Sequence, residues 1–235
     1  IGNGIRQNRV VNSTTLIPEF SNVTLKVSCC EKNRWSPAVA NALNLSDSLY
    51  FSKGRINNSE DIYKKCDTDQ FKIWDDISDK LKEFGSRSFT GSVEDIYNKR
   101  RNNVEEIVSS FNPGPNDIGV AIATGNCLIS LDIFFSNEVF KIYLPKLIRS
   151  VALDSFKKTG YKSFVKTTDV HKLLRLIEQS EKKIDKPNMG TLGQQIRFNS
   201  GLVVGSSLYY EEEMVHFSGF LKVKVNIPQY KSKVA

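Results

Sequence analysis

Two clusters of planar, hydrogen-bonding side chains bracket the first strand-like runs of this chain. One is Gln7-Asn8-Arg9 with Asn12, and the other is Glu31-Lys32-Asn33-Arg34-Trp35, directly after Cys29-Cys30. Arg, Gln and Asn offer fork-shaped donors that match phosphates, carboxylates and base edges. In this reading Arg9 and Arg34 meet phosphates, Gln7 and Asn8 read hydroxyls or base edges, and Trp35 stacks on a base or ribose. Packing a core does not require that chemistry twice in so short a stretch.

Further candidates lie deeper in the chain. Lys146 and Arg149 are neighbours on one face of a helix expected over 137–156. Phe140, Leu144, Leu147, Ile148 and Val151 form one apolar face of that helix, and Val139, Ile142, Leu153 and Phe156 populate the other. A helix apolar nearly all round is buried, and buried cations need an anion or a carboxylate beside them. Lys146 and Arg149 therefore read as an anion pocket or as salt-bridge partners, the second slightly favoured. Asp132 stands in an apolar strand on the face of Leu128, Ser130 and Phe134, as a general base or, preferably, a partner of Arg149 or Lys146. His216 shares a strand face with Met214 and Ser218, where a hydrogen-bonded core histidine is the commoner outcome than a catalyst. If the protein is an enzyme, Glu31, Asp132 and His216 are the acid/base candidates, with Glu31 and His216 the best pair. A Cys30 nucleophile would need His216 as its base.

Several chemistries are absent from the sequence. Gly2-Asn3-Gly4 lacks both a preceding strand and the third glycine of a dinucleotide fingerprint, and no P-loop, G-x-S-x-G or H-E-x-x-H occurs. Cys29, Cys30, Cys66 and Cys127 form no C-x-x-C, and no histidine stands at ligand spacing, so no metal site and no cofactor are expected. The net charge of +7 permits an anionic partner, but its basic residues are scattered without interleaved aromatics, which argues against nucleic acid. No apolar run approaches the roughly 20 residues that span a bilayer, and reduced cytoplasmic thiols are the favoured reading of the cysteines. The Asn-x-Ser/Thr sequons at Asn12, Asn22, Asn44 and Asn57 read as chance in so Asn-rich a chain. A chain starting at Ile1 reads as a processed product or fragment lacking an N-terminal segment.

The elements that must position these residues follow from periodicity. Strands are expected over 9–17 and 22–30, the second alternating Val23, Leu25, Val27 and Cys29 inward. Residues 36–66 are polar and weakly patterned, and read as a long loop or lid. Helices are expected over 68–84, capped by Thr68 and ended by Gly85, over 92–111 with Ser92 and Asp95 in capping-box spacing, over 137–156 with Pro145 inside, and over 168–182. Hairpins are expected at 118–134 around Gly125-Asn126 and at 202–220 around acidic turn residues. Strand pairs separated by helices make an α+β domain, with antiparallel hairpins forming a sheet or sandwich core and four or five packed helices. The two hairpins hint at a duplicated unit. One domain over 1–235 is expected.

Gln7-Asn8-Arg9-Val10-Val11-Asn12 resembles the Q-N-R-x-x-N motif of the ARG and Rhodanese-Phosphatase-superfamily-associated protein domain family. Cys29 to Trp35 is similar to its C-x-E-x-x-R-W segment. Arg87-Ser88-Phe89-Thr90-Gly91, Leu131-Asp132-Ile133-Phe134, Leu144 to Ser150, Gly193, Arg197, Val204 to Ser207 and Val215-His216-Phe217 follow in order. The resemblance covers roughly residues 5–220. The family's acidic segment before Q-N-R is not seen here, and Phe89 stands where proline is frequent. By genome neighbourhood beside ADP-ribosyl-glycohydrolases and phosphatase-like proteins, the resemblance implies work on NAD-derived or ADP-ribosylated compounds.

The leading expectation is therefore a nucleotide-handling protein with a small-molecule phosphate or nucleotide ligand. The alternative is a non-catalytic ligand-binding or interaction domain whose polar residues form one structural network.

Overall fold

The computed structural model describes residues 8–33, 50–156, 165–185 and 190–222. Within them the architecture is α+β, with helices packed on antiparallel sheets. β1 (Arg9–Val11) and β2 (Val27–Cys29) form a two-stranded ribbon in which Arg9 faces Cys29. The strand faces differ from the expected alternation: Ser28 and Cys30 are buried, while Val27 is 39% exposed. A polar anchor decides this, since Ser28 Oγ donates to Asn12 Oδ1 at 2.8 Å and also bonds the Thr68 hydroxyl.

α1 (Ser52–Lys65) corrects the expected loop over 36–66, of which 36–49 lies outside the described residues. Its buried side chains include Ser52, Asn58 and Asp61, so it shows no apolar repeat to a sequence reader. α2 (Gln70–Glu83) matches expectation, but Asp69 rather than Thr68 caps it, accepting from the Phe71 and Lys72 amides at 3.0 and 3.2 Å. Instead of one helix over 92–111 there are two, α3 (Glu94–Lys99) and α4 (Arg101–Ser109), broken at Arg100 with φ −110° and ψ 15°.

The expected hairpins are β3 (Gly119–Thr124) with β4 (Cys127–Phe134), and β7 (Val203–Tyr210) with β8 (Glu213–Leu221). α5 (Asn137–Ser155) and α6 (Thr167–Glu178) lie between them in the chain. β5 (Glu181–Asp185) and β6 (Gln194–Asn199) were not expected. β5 reads Glu-Lys-Lys-Ile-Asp, a charged edge strand with no alternation to detect. The order β3-β4-β8-β7-β6-β5 makes one antiparallel sheet, joined in the middle by β4 and β8.

Register sorts the central side chains into two faces. Asp132, Ser218 and Ser206 form one row across β4, β8 and β7, and Phe134, His216 and Leu208 form the next. α1 covers this face through Arg55, whose guanidinium lies 4.7 Å from the Phe220 ring centroid. The opposite face carries Leu131, Phe198, Val203 and Leu221, packed against Leu173 and Ile177 of α6. Gly205 and Gly219 sit opposite each other there, and a Cβ at Gly205 would fall 2.5 Å from the Phe198 ring. α5 is not buried all round as expected: Ile142 and Tyr143 are 63% and 40% exposed. Among the described residues no helix is long and apolar enough to cross a membrane.

Candidate functional site

Sheet register creates the site. Because Asp132 pairs with Ser218 and Phe134 with His216, the two sequence-nominated residues Asp132 and His216 lie diagonally adjacent on one face. Asp132 is fully buried, and its expected partners were Lys146 or Arg149. Its partner is instead Arg55 of α1: Arg55 Nη2 donates to Asp132 Oδ1 at 2.7 Å, and Ser218 Oγ donates to the same oxygen at 2.8 Å. Burial alone would raise the Asp132 pKa. The Arg55 charge, then His216 and Ser218, outweigh it and hold the carboxyl down to about 2. Asp132 is therefore held ionised, anchored by Arg55 and Ser218.

His216 is held from both sides. Its Nδ1 lies 2.7 Å from Thr14 Oγ1, and its Nε2 lies 3.8 Å from Asp132 Oδ1, too far for a hydrogen bond but close enough for charge to act. The nearby carboxylate favours a proton on Nε2, which leaves Nδ1 to accept from the Thr14 hydroxyl. The ring stacks on Phe134 at 4.6 Å between centroids, and Phe134 stacks on Tyr143 at 5.2 Å. Lys146 Nζ stands 5.6 Å from the Tyr143 centroid. An aromatic ladder thus runs from the half-buried histidine to an exposed tyrosine and a cation.

Two neighbouring cavities share His216 in their lining. The outer cleft, about 590 Å³, is bordered by Asn8, Arg9, Thr14, Cys30, Tyr143 and Lys146. The inner pocket, about 180 Å³, reaches Arg55, Asp132 and Ser218. His216, Phe134, Tyr143 and Thr14 line both. The N-terminal strap 8–16 forms one wall of the cleft, with Leu16 bridging to Leu192 at its far end.

The other expected residues divide. Asn8, Arg9 and Lys146 reach the outer cleft. Glu31 does not line it: at 2% exposure it accepts from the Asn8 amide at 2.8 Å and the Asn8 side chain at 3.3 Å, and it meets Thr90 Oγ1 at 3.5 Å. Its carboxylate pins the strap to the 88–92 loop, where it also forms a bridge with Ser92. Glu31 is thus engaged with Asn8 and Thr90, while the carboxylate of Asp132 lies 3.8 Å from His216. Arg149 is likewise outside the cleft, holding Glu105 of α4 through two bonds of 2.8 Å. Its hydrogen bond lowers the Glu105 pKa against a smaller opposing effect of burial. Gln7, Arg34 and Trp35 lie outside the described residues.

Cys30 lines the outer cleft, but burial, then Cys29 and Glu31, push its thiol up to about 12. A protonated thiol is a poor nucleophile, and the Cys30 Sγ donates to the Ser28 carbonyl at 3.9 Å. Arg55, Thr14 and Ser218 are the site residues the sequence did not reveal. The signal for Arg55 was present only as helical spacing in a polar run: Phe51, Arg55, Asn58 and Ile62.

Residues 3–220 match the family model described as ARG and Rhodanese-Phosphatase-superfamily-associated Protein domain. No curated protein and no solved structure matches the chain.

Proposed function

This chain belongs to the ARG and Rhodanese-Phosphatase-superfamily-associated Protein domain family, and from that premise we propose that it binds and acts on an NAD-derived or ADP-ribosylated compound in the cleft beside His216. The observation that carries the reading is His216 itself. It is oriented by Thr14, faces an ionised carboxylate, and lines both the outer cleft and the inner pocket. The outer cleft falls within the size range of small-molecule and cofactor sites. Arg9 and Lys146 supply positive charge for phosphates, and Tyr143 offers an exposed ring for stacking. Gln7, Arg34 and Trp35 belong to the same proposal on their motif alone, and Glu31 enters it as the residue that positions the strap.

His216 is the acid/base group of this proposal, since Asp132 is committed to Arg55 and Ser218. The test begins with calorimetric titration of NAD and ADP-ribose, followed by turnover of whichever binds. His216→Ala is expected to lower turnover at least about a hundredfold with little change in affinity. The pairing of Arg55 and Ser218 on the single oxygen Oδ1 of Asp132 favours a second reading, a binding module without chemistry. Tight binding with no turnover by the wild-type protein would select it.

A further inference from the structure

Three polar atoms around the inner pocket are buried without a hydrogen-bond partner among the described residues: Arg55 Nη1, Asp132 Oδ2 and His216 Nε2. All three side chains line the same space of about 180 Å³. Buried polar groups are normally satisfied, and each exception calls for an occupant or a function. These three are chemically mixed: a fixed cationic donor, an anionic acceptor, and a ring nitrogen.

That mixture is selective. A phosphate or carboxylate entering the pocket would meet the Asp132 carboxylate at close range, and a free cation would meet Arg55. An apolar group would leave all three atoms unpaired. A hydroxyl can donate to Asp132 Oδ2 while accepting from Arg55 Nη1, because one O–H carries both a donor and lone pairs. A second hydroxyl on the adjacent carbon can meet His216 Nε2. Asn58, Ser59 and Ser206 add amide and hydroxyl groups to the same lining. At about 180 Å³ the pocket is smaller than the roughly 300–1,000 Å³ usual for a whole small-molecule ligand. That is too little for a whole nucleotide and suits the hydroxylated edge of a sugar.

We propose that the inner pocket is a vicinal-diol subsite, taking the free hydroxyl pair of a ribosyl group while the phosphates remain in the outer cleft near Arg9 and Lys146. This rests on the reading of the cleft as a site for a phosphorylated ligand, and it names which end of that ligand enters first.

The experiment compares ribose 5-phosphate with 2-deoxyribose 5-phosphate on the wild-type protein, by calorimetry and by NMR of the histidine rings. Only His171 and His216 contribute ring signals, and the exposed His171 serves as the internal reference. Ribose 5-phosphate is expected to bind at least about a hundredfold more tightly, since a site built for a hydroxyl leaves buried groups unpaired when it is missing. It is expected to shift the His216 signals and not those of His171. Asp132→Asn should erase the preference, and if that variant does not fold, the wild-type pair still decides. Equal affinities, or no binding of either sugar phosphate, would overturn the diol subsite. ADP-ribose separates this from the broader reading. Diol preference without ADP-ribose binding would defeat the dinucleotide ligand and keep the subsite, whereas ADP-ribose binding without diol preference would do the reverse.

Discussion

At the scale of single residues, the site turns on which cation holds Asp132. Arg55 is 13% exposed and Asp132 not at all, so truncating Arg55 strands a buried carboxylate. Arg55→Met is expected to cost roughly 3–5 kcal/mol in denaturant unfolding. Arg149→Met removes a pair at the α4–α5 surface, whose Glu105 is 47% exposed, and should cost much less, about 1 kcal/mol. Comparable losses in the two variants would contradict this assignment. Asp132 also sets an acid limit. Its folded pKa of about 2 lies below the ordinary 3.8, so its contribution is complete above the unfolded value and disappears as pH falls through the folded one. A shift of that size corresponds to about 2 kcal/mol, lost between about pH 4 and pH 2. Asp132→Asn should flatten the stability profile across that window, as followed by thermal unfolding at stepped pH.

At the scale of elements, the sheet places polar chemistry on one face and dense packing on the other. The polar row needs α1 above it to supply Arg55, and the packed face needs α6 below. Gly205 is where these demands meet. A side chain there would strike Phe198, which stacks on Phe217 at 5.5 Å, and would also approach the Ser218 carbonyl, next to the Asp132 contact. Gly205→Ala is expected to destabilise by about 1–3 kcal/mol through overpacking. It should also displace Ser218 from Asp132. A crystal structure of the variant with both the Phe198–Phe217 stack and the Ser218 bond intact would contradict this account.

At the scale of the whole molecule, the cleft is walled by a segment joined to the sheet at few points. Among the described residues the strap touches the six-stranded sheet through Thr14–His216, while Leu16–Leu192, Asn8–Glu31, Asn12–Ser28, Asn12–Thr68 and the β1–β2 pairing tie it to other segments. Segments with few such ties open at lower free energy than the core. Glu31→Gln replaces the carboxylate that receives the Asn8 amide. Hydrogen exchange is expected to accelerate at residues 8–16 while the amides of β4, β7 and β8 keep their protection. Uniform acceleration would mean that Glu31 supports the global fold instead of the strap.

Local periodicity carried much of the architecture. The helical spacing of Phe71, Trp74, Ile77, Leu81 and Phe84 marks α2, although Phe71 turns out exposed and Ile73 buried, and alternation around Gly125 and around Glu211-Glu212 marks the two hairpins, because each is a short-range pattern. The chemistry of Asp132 and His216 was visible for a related reason: each is a titratable residue inside an apolar strand. Their partners were not visible. Arg55 lies 77 residues before Asp132, on a helix whose buried side chains are largely polar, so no apolar repeat announced it. Glu31 belonged to a motif, yet only the path of the strap decided that it would receive Asn8 rather than face the cleft. Sequence by itself determined the elements that carry a local apolar repeat, which α1 and β5 do not, and which side chains can do chemistry, since both depend on near neighbours. Tertiary structure alone decided which of those side chains meet, because that depends on strand register and on which helix covers which face.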